Sequence, residues 1–395
     1  MKIDIIICLI IIGILYLTGN EQFIILPVIC MLSKKSVVDG SVTGGKSDKK
    51  TTKKPFTFLL DPEPDYKVYF HIKLRKFLKS LGWKEYKVTD KLPEKLDLVN
   101  IKPIRYALLK GTPSKIALYS RKEGNIMFKN NLYKNLQKLK MSHYMPLQYN
   151  IDIDDSKSYP DRSLIDGSVW ILKPVVGSRG RGIQMVRSHA EFIKLTEAEK
   201  TSGNFRNRLL NTDPWVLSKY ITKPLLWDGH KFHLRLYYFI TNINKKKSGY
   251  ILKYGKVFVG KNKYDIESSD ILTHNIHAYN SDSYNFPEDF DKKFKSGINK
   301  SKKIFDQLLP LLTKLFKYSR SECFSDNDHC YNLYGMDVMV MPDFKIKIIE
   351  INTHPAASTK DDIATDKLIE SINELVIQPI MYDNVTTGSD KYIKL

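Results

Sequence analysis

Hydrophobic and polar positions alternate strictly at the start of KFHLRLYYFIT, residues 231–241. A strand there carries Lys231, His233 and Arg235 on one face and Phe232, Leu234 and Leu236 on the other. Tyr237 and Phe239 continue the basic face, which suits a cleft lining better than open surface, although a charged solvated edge would alternate in the same way. Segments 169–176 and 182–187 read as two strands around a glycine-rich loop, and WVLSKYI, 215–221, reads as another short strand. In FKNNLYKNLQKLK, residues 128–140, Phe128, Leu132, Leu136 and Leu139 recur at helical spacing. That helix opens with Lys129, a position where a lone lysine is ordinarily surface charge. A second amphipathic pattern runs from Lys293 to Phe316, with a kink or break expected at Pro310. Short strands and helices mix from Pro55 to about Asn150. The pattern predicts an α+β chain built on largely antiparallel sheets in two or three lobes. The expected divisions are 55–150, 151–215 and 216–395.

The segment before residue 55 is of another kind. Residues 1–32 hold apolar runs from Ile5 to Leu17 and from Phe23 to Leu32, separated by TGNEQ. A bilayer crossing takes about 20 apolar residues. The reading favoured is a membrane anchor, with a cleaved signal or a buried or interfacial segment as alternatives. Residues 33–54 form a lysine-rich, Gly/Ser/Thr-rich linker whose charge would hold the following domain on the cytoplasmic side of such an anchor. Without an anchor the chain would be cytoplasmic.

Composition narrows the partners. The chain has 395 residues, 42% of them apolar, and a formal charge of +20. It can therefore bury a large core, and it presents a positive field that attracts polyanions such as anionic lipid or an acidic protein tail. No module interleaving basic and aromatic residues is visible, so nucleic acid is not an expected partner. Cysteines at 8, 30, 323 and 330 show no disulfide framework and no paired metal knuckle, and a reducing compartment fits them best.

The most informative chemistry lies in YGMDVMVMPDFKIKIIEINTHPAAS, residues 334–358. A hairpin with Asp343 and Phe344 at its tip sets Asp337 opposite Glu350, with Asn352 on the same face. Two opposed carboxylates repel each other. With an amide oxygen beside them they suit a hard divalent cation such as magnesium (Mg2+), to which a nucleotide's phosphates would add further oxygens. Two solvent-facing acids would be the plain alternative, but Met339, Met341, Ile346 and Ile348 are expected on that same face and argue for burial. In WILKPVVGSRGRGIQMV, Lys173 precedes Gly177, Gly180 and Gly182, which allow close backbone approach to an anion, while Arg179 and Arg181 add charge. The spacing is not that of a P-loop, and alone it reads as readily as a β-turn.

The order KPxxxSRGRGI, WVLSKYI, KFxLRLY, a D…E-x-N hairpin and a C-terminal ATDKLIESINELV helix resembles the tubulin tyrosine ligase-like family of ATP-grasp ligases, over roughly residues 100 to 385. The resemblance implies that ATP lies between lobes and phosphorylates a carboxylate, and that the amine of a free amino acid attacks the resulting acylphosphate. It implies phosphate contacts for Lys129 and Lys173, a covering loop that includes Arg179, Gly180 and Gly182, and an adenine hinge at Lys219, Tyr220 and Ile221. Lys231 and Arg235 would be the catalytic cations facing phosphate or amino acid. Asp337, Glu350 and Asn352 would hold magnesium. Glutamate is the expected amino acid, and acidic tails such as those of tubulin the expected acceptor; a tyrosine or glycine ligase, or another acceptor, is the variant within the class. Four positions depart from the family pattern. His233 stands where an aspartate is usual and Ser218 where a glutamine is usual. Phe258 replaces an arginine, with Lys256 or Lys261 as stand-ins, and an LTN signature reads LTHN through Thr273, His274 and Asn275. These departures keep a second class open, a membrane-tethered pseudoenzyme that binds nucleotide and an acidic partner without catalysis.

Overall fold

The longest strands arise where period-two alternation is cleanest. In the computed structural model, residues 54–60, 69–101, 109, 111–118, 126, 128–175, 180, 182–202, 215–276, 281–295, 299–319, 323, 327–353, 355, 363–384 and 389–395 are described. Fifteen strands are present among them: β1 (Thr57–Leu60), β2 (Lys84–Glu85), β3 (Leu96–Asn100), β4 (Ser114–Leu118), β5 (Gln148–Ile151), β6 (Trp170–Pro174), β7 (Gln184–Val186), β8 (Trp215–Lys219), β9 (Leu226–Trp227), β10 (His230–Ile243), β11 (Lys246–Lys263), β12 (Ser281–Phe286), β13 (Asn327–Val340), β14 (Ile346–Thr353) and β15 (Tyr392–Lys394). Five helices cover the sheets or deliver a side chain to the site: α1 (Tyr69–Ser80), α2 (Lys129–Lys138), α3 (His189–Ser202), α4 (Lys300–Tyr318) and α5 (Ile363–Ile372).

Eleven strands form one sheet in the order β12-β11-β10-β13-β4-β3-β1-β2, with β14 on β13, β15 on β11 and β9 on β10. Its β10, β11, β12, β13 and β14 ladders are antiparallel, as expected, whereas β1, β2, β3, β4 and the β4–β13 junction are parallel. The fold is therefore mixed α/β, with the strands of residues 57–118 continuing the sheet of the C-terminal strands. The predominantly antiparallel expectation fails there because the connections run through α1 and long crossovers, which parallel pairing requires. The second sheet has four antiparallel strands in the order β5-β8-β6-β7.

Both faces of the large sheet are covered. Phe232, Leu234, Leu236, Tyr238 and Ile240 of β10 pack with Ile304, Leu308, Leu311, Leu312 and Leu315 of α4, whereas Tyr237 and Phe239 pack with Phe70, Leu74 and Leu78 of α1 and Leu368, Ile369 and Ile372 of α5. Each fully buried leucine or isoleucine contributes about 1.5–3 kcal/mol. Tyr237 and Phe239 thus lie in the core and do not line a cleft; the basic face of β10 ends at Arg235.

Helix α4 begins at Lys300, because the Asn299 side chain accepts from the Lys302 N–H and caps it; Glu288–Lys293 is a separate short helix. Pro310 sits inside α4 without ending it. The proline is exposed, so water can take over the carbonyl bond its missing N–H leaves unmade.

Cys323 and Cys330 form a disulfide. This corrects the reading of unpaired cysteines, and with it the argument for a reducing compartment. Cys330 lies in β13 opposite Asn242 of β10, and the Cys323 Sγ approaches the Asn242 carbonyl. The closure of these two cysteines is a tertiary fact that the six residues between them, FSDNDH, conceal. No helix among the described residues is long and apolar enough to cross a membrane, and residues 1–32, on which the anchor expectation rests, lie outside them.

Candidate active site

The basic face of β10 meets the acidic end of the β13–β14 hairpin. Arg235 and Asp337 are directly paired across the two strands, and the guanidinium grips the carboxylate through both oxygens, Nε to Oδ1 at 2.6 Å and a terminal nitrogen to Oδ2 at 3.1 Å. Glu350 lies opposite Asp337 as expected. Its route differs from the one the sequence suggested. The turn spans three residues, Pro342 to Phe344, with Phe344 at φ 62°, and sets Val340 against Ile346. A bulge at Ile349 then shifts the register by one and restores the Asp337–Glu350 opposition. That shift also moves Ile346 and Ile348 to the face of Val338 and Val340, in the core beneath α4. They do not share the carboxylate face, because a one-residue slip reverses every side chain of a strand.

Asn352 donates its amide nitrogen to Glu350 Oε1 at 2.7 Å and to Asp337 Oδ2 at 3.4 Å. Three oxygen-bearing side chains converge here. Burial and the neighbouring Glu350 push Asp337 up, against the pull of Arg235, to about 6. For Glu350 burial acts upward too, but Lys129, the Asn352 amide and Lys173 outweigh it and hold the carboxyl at about 2. Lys129 explains much of this. Its Nζ is 3.3 Å from Glu350 Oε2 and 3.5 Å from the Val175 carbonyl, and it is 8% exposed. The lysine at the helix start is therefore recruited from the surface into the site.

Lys173, on β6, is 7% exposed, and burial with the nearby Lys129 charge lowers its pKa to about 8. Burial and Lys173 lower Lys231 to about 7. These amines lie close enough to repel, an arrangement that an anion between them would relieve.

Lys231 is also held from below. Its Nζ donates to the Tyr220 hydroxyl at 2.9 Å and to the His274 carbonyl at 2.6 Å. His274 Nε2 lies 2.8 Å from the Ser268 carbonyl, which only accepts, so Nε2 carries the proton and Nδ1 accepts from the Tyr220 hydroxyl at 2.9 Å. Burial lowers the His274 pKa, in keeping with a neutral ring. Of the other residues expected at a hinge, Lys219 ends β8 exposed, its N–H donating to the Leu147 carbonyl, and the Ile221 carbonyl accepts from Tyr264 at 3.5 Å.

Gly180 and Gly182 have φ of 70° and 73°, the left-handed backbone that glycine tolerates. A Cβ at Gly180 would lie 1.6 Å from Asn275 Nδ2, so the loop touches the segment after His274. Arg179, Arg181 and Gly177 lie outside the described residues.

The two departures on the basic strand face each other. His233 and Phe258 are cross-strand partners with ring centroids 5.4 Å apart, and His233 Nε2 is 3.8 Å from Asp337 Oδ1. Lys256, paired with Arg235 on the same face, is 4% exposed, while Lys261 points to solvent. Of the two stand-ins, Lys256 alone is at the site. Sequence reasoning passed over Gln148, which sits directly opposite Ser218 on β5. The alternation of polar Gln148 and Asn150 with Tyr149 and Ile151 was the signal available.

Comparison with known proteins places the chain in a family. Residues 114–388 match the tubulin-tyrosine ligase family. The chain is 25% identical over 241 residues to a probable tubulin polyglutamylase of Caenorhabditis elegans, covering 57% of this chain and 54% of the relative. It is 25% identical over 271 residues to a probable alpha-tubulin polyglutamylase of Tetrahymena thermophila, covering 63% and 62%, and 26% identical over 252 residues to a protein polyglycylase of Rattus norvegicus, covering 57% and 36%. The matches thus span from about a third to under two thirds of these relatives' lengths. With the family match running through every element of the site from β4 to beyond α5, the chain belongs to the tubulin-tyrosine ligase family.

Proposed function

We propose that this chain is an ATP- and magnesium-dependent ligase that joins a free amino acid, glutamate, to an acidic protein tail such as the C-terminal tail of tubulin. One observation carries the reading: buried cations from three elements, Lys129, Lys173 and Lys231, converge beside the opposed pair Asp337 and Glu350. Clustered buried amines are costly unless an anion meets them, and a triphosphate supplies that charge.

In this reading ATP lies over the four-stranded sheet in an ATP-grasp arrangement, its base toward Lys219, Tyr220 and Ile221. Lys129, Lys173 and Lys231 receive its phosphates, and the loop of Arg179, Gly180 and Gly182 closes over them. The donor set of Asp337, Glu350 and the Asn352 amide fits magnesium, which takes few protein oxygens and completes its shell with phosphate and water. Bound there, the ion would neutralise charge on the transferring phosphoryl. Arg235 keeps Asp337 ionised and in place. The acceptor carboxylate takes the γ-phosphoryl group and becomes an acylphosphate; the incoming amine forms the amide as phosphate leaves. Positioning and electrostatics suffice for both steps. The formal charge of +20 favours an acidic acceptor.

The test is mass spectrometry of tubulin after incubation with the purified chain, ATP, magnesium and each of glutamate, glycine and tyrosine. Glutamate adducts that require ATP are expected; absence of ATP binding in magnesium would overturn the reading. A second reading, a nucleotide-binding protein without transfer activity, draws on the uncharged aromatic Phe258 opposite His233 in the amino-acid half of the site. Nucleotide binding without incorporation of any of the three amino acids into any acceptor would favour it.

A further inference from the structure

The four-stranded sheet has two distinct faces. Trp170, Leu172, Trp215, Leu217 and Ile151 form the core under α3, with Phe192. The opposite face carries Lys173, and cross-strand pairing lays out its rows. Gln148 is opposite Ser218, Ser218 opposite Ile171, and Ile171 opposite Met185. One step along, Asn150 is opposite Val216 and Val216 opposite Lys173. Two residues of strand separate the rows, about 7 Å. The first row adjoins the hinge at 219–221, and the second adjoins the phosphate-side lysine.

Gln148 is out of keeping with a merely structural position. It is 5% exposed, its Nε2 donates to the Lys129 carbonyl at 3.1 Å, and its Oε1 is buried without a hydrogen-bond partner. Buried acceptors are ordinarily satisfied. The donor end is fixed by Lys129, so the amide cannot rotate to present its NH2 group instead. The side chain therefore offers one acceptor, of fixed polarity, on a row that also presents the half-buried apolar side chains of Ile171 and Met185. A flat base with an apolar face and one outward donor matches that row.

We propose that Gln148 reads the nucleotide base: Oε1 accepts from the 6-amino group of a purine lying on the Gln148–Ser218–Ile171–Met185 row, and so selects 6-aminopurine over 6-oxopurine nucleotides. This rests on the proposed reading of the chain as a nucleotide-binding ligase. A 6-oxo group would set two acceptors against each other, and a purine without a 6-substituent would leave Oε1 unmet. Gln148 meets Lys129 at its backbone carbonyl and not at its amine, so it is the free Oε1 acceptor that bears on base identity.

The experiment is equilibrium binding of ATP, GTP and purine riboside triphosphate, which lacks the 6-amino group, to the full chain in magnesium. The wild-type chain binds ATP about tenfold more tightly than purine riboside triphosphate, the worth of one hydrogen bond to a buried acceptor, and GTP more weakly still. Gln148→Met and Gln148→Thr each bring ATP to the level of purine riboside triphosphate while that analogue's own affinity is unchanged. If the wild-type chain holds both nucleotides equally, or if the substitutions weaken both alike, Gln148 does not read the base and the nucleotide reading stands. If the wild-type chain binds none of the three, the nucleotide reading falls and this inference with it. Either substitution suffices to assign the preference to Gln148, so the failure of one substituted chain to fold leaves the other to decide.

Discussion

His233 and Phe258 stand opposite each other on β10 and β11, ring against ring, one residue pair away from Arg235 and Lys256. An aromatic pair holds this part of the site, beside the Arg235–Asp337 ion pair. Among the described residues, the cations beside this pair are Arg235, already committed to Asp337, and Lys256, whose Nζ donates to Asn285 Oδ1 at 3.1 Å.

On the proposed ligase reading, Lys256 is the cation that would meet the carboxylate of the free amino acid. Lys256→Met is expected to raise KM for the free amino acid about tenfold, the size of one lost charged hydrogen bond, and to leave ATP affinity unchanged. Steady-state kinetics with each substrate varied in turn checks the split. An equal rise for ATP would mean that Lys256 serves the site as a whole.

Glu350 faces both Lys129 and Asp337. Glu350→Gln keeps the shape and removes one of the two carboxylates, so nucleotide binding is expected to lose its magnesium dependence. Calorimetric titration of ATP with magnesium and with EDTA measures this. The substitution also strands the buried Lys129 amine, so denaturant unfolding is expected to show a loss of about 3–5 kcal/mol. Lys129→Met in the same chain should recover most of it.

Two amines with lowered pKa values give the site a pH signature. Lys231 and Lys173 titrate at about 7 and about 8, and phosphate binds their charged forms. Binding ATP at pH 8 is therefore expected to take up protons, visible as enthalpies that differ between buffers of different ionisation heat. Affinity should fall as pH rises past 8, and Lys231→Met should remove part of the slope. Stability of the ligand-free chain runs the other way. Between the folded values and the ordinary value near 10.4 the unfolded chain binds more protons, so stability contributed by these lysines rises with pH across that window.

Gly180 reaches Asn275 through a backbone that only glycine adopts freely. Gly180→Ala is expected to weaken ATP binding by pushing the loop off the 271–275 segment. Asn275→Ala in the same chain removes the clash but not the strain at φ 70°, so the double substitution should bind ATP better than Gly180→Ala alone and worse than the wild-type chain. A double-mutant cycle on ATP affinity measures the coupling. Additive losses would show that the two residues do not meet.

The alternation that put Lys231, His233 and Arg235 on one side was legible because a strand's period is local and needs no partner. The same periodicity could not say where that face stops being a cleft, and Tyr237 and Phe239 turned out to be core, because α1 and α5 pack over them. The helix beginning at Lys129 was legible from its leucines; that its first lysine is buried against Glu350 depends on a hairpin over two hundred residues away. The opposition of Asp337 and Glu350 was reached with a two-residue tip and no bulge, whereas the chain reaches it with a three-residue turn and a bulge at Ile349. The two irregularities cancel at Glu350 and not at Ile346 and Ile348. Cys323 and Cys330 looked unrelated to any framework because closure of a disulfide depends on where loops return.

The amino-acid sequence by itself determined the site's chemistry: which side chains are cations, which are carboxylates, and in what order strands and helices deliver them. Those properties are carried by single residues and by periods of two or 3.6. Only the tertiary structure decided which of those groups meet, that Lys256 and not Lys261 stands beside Arg235, and that Gln148 keeps an unmet acceptor opposite Ser218. Burial and pairing are set by elements distant in sequence, and a buried charge or amide takes its meaning from the neighbour that the fold puts against it.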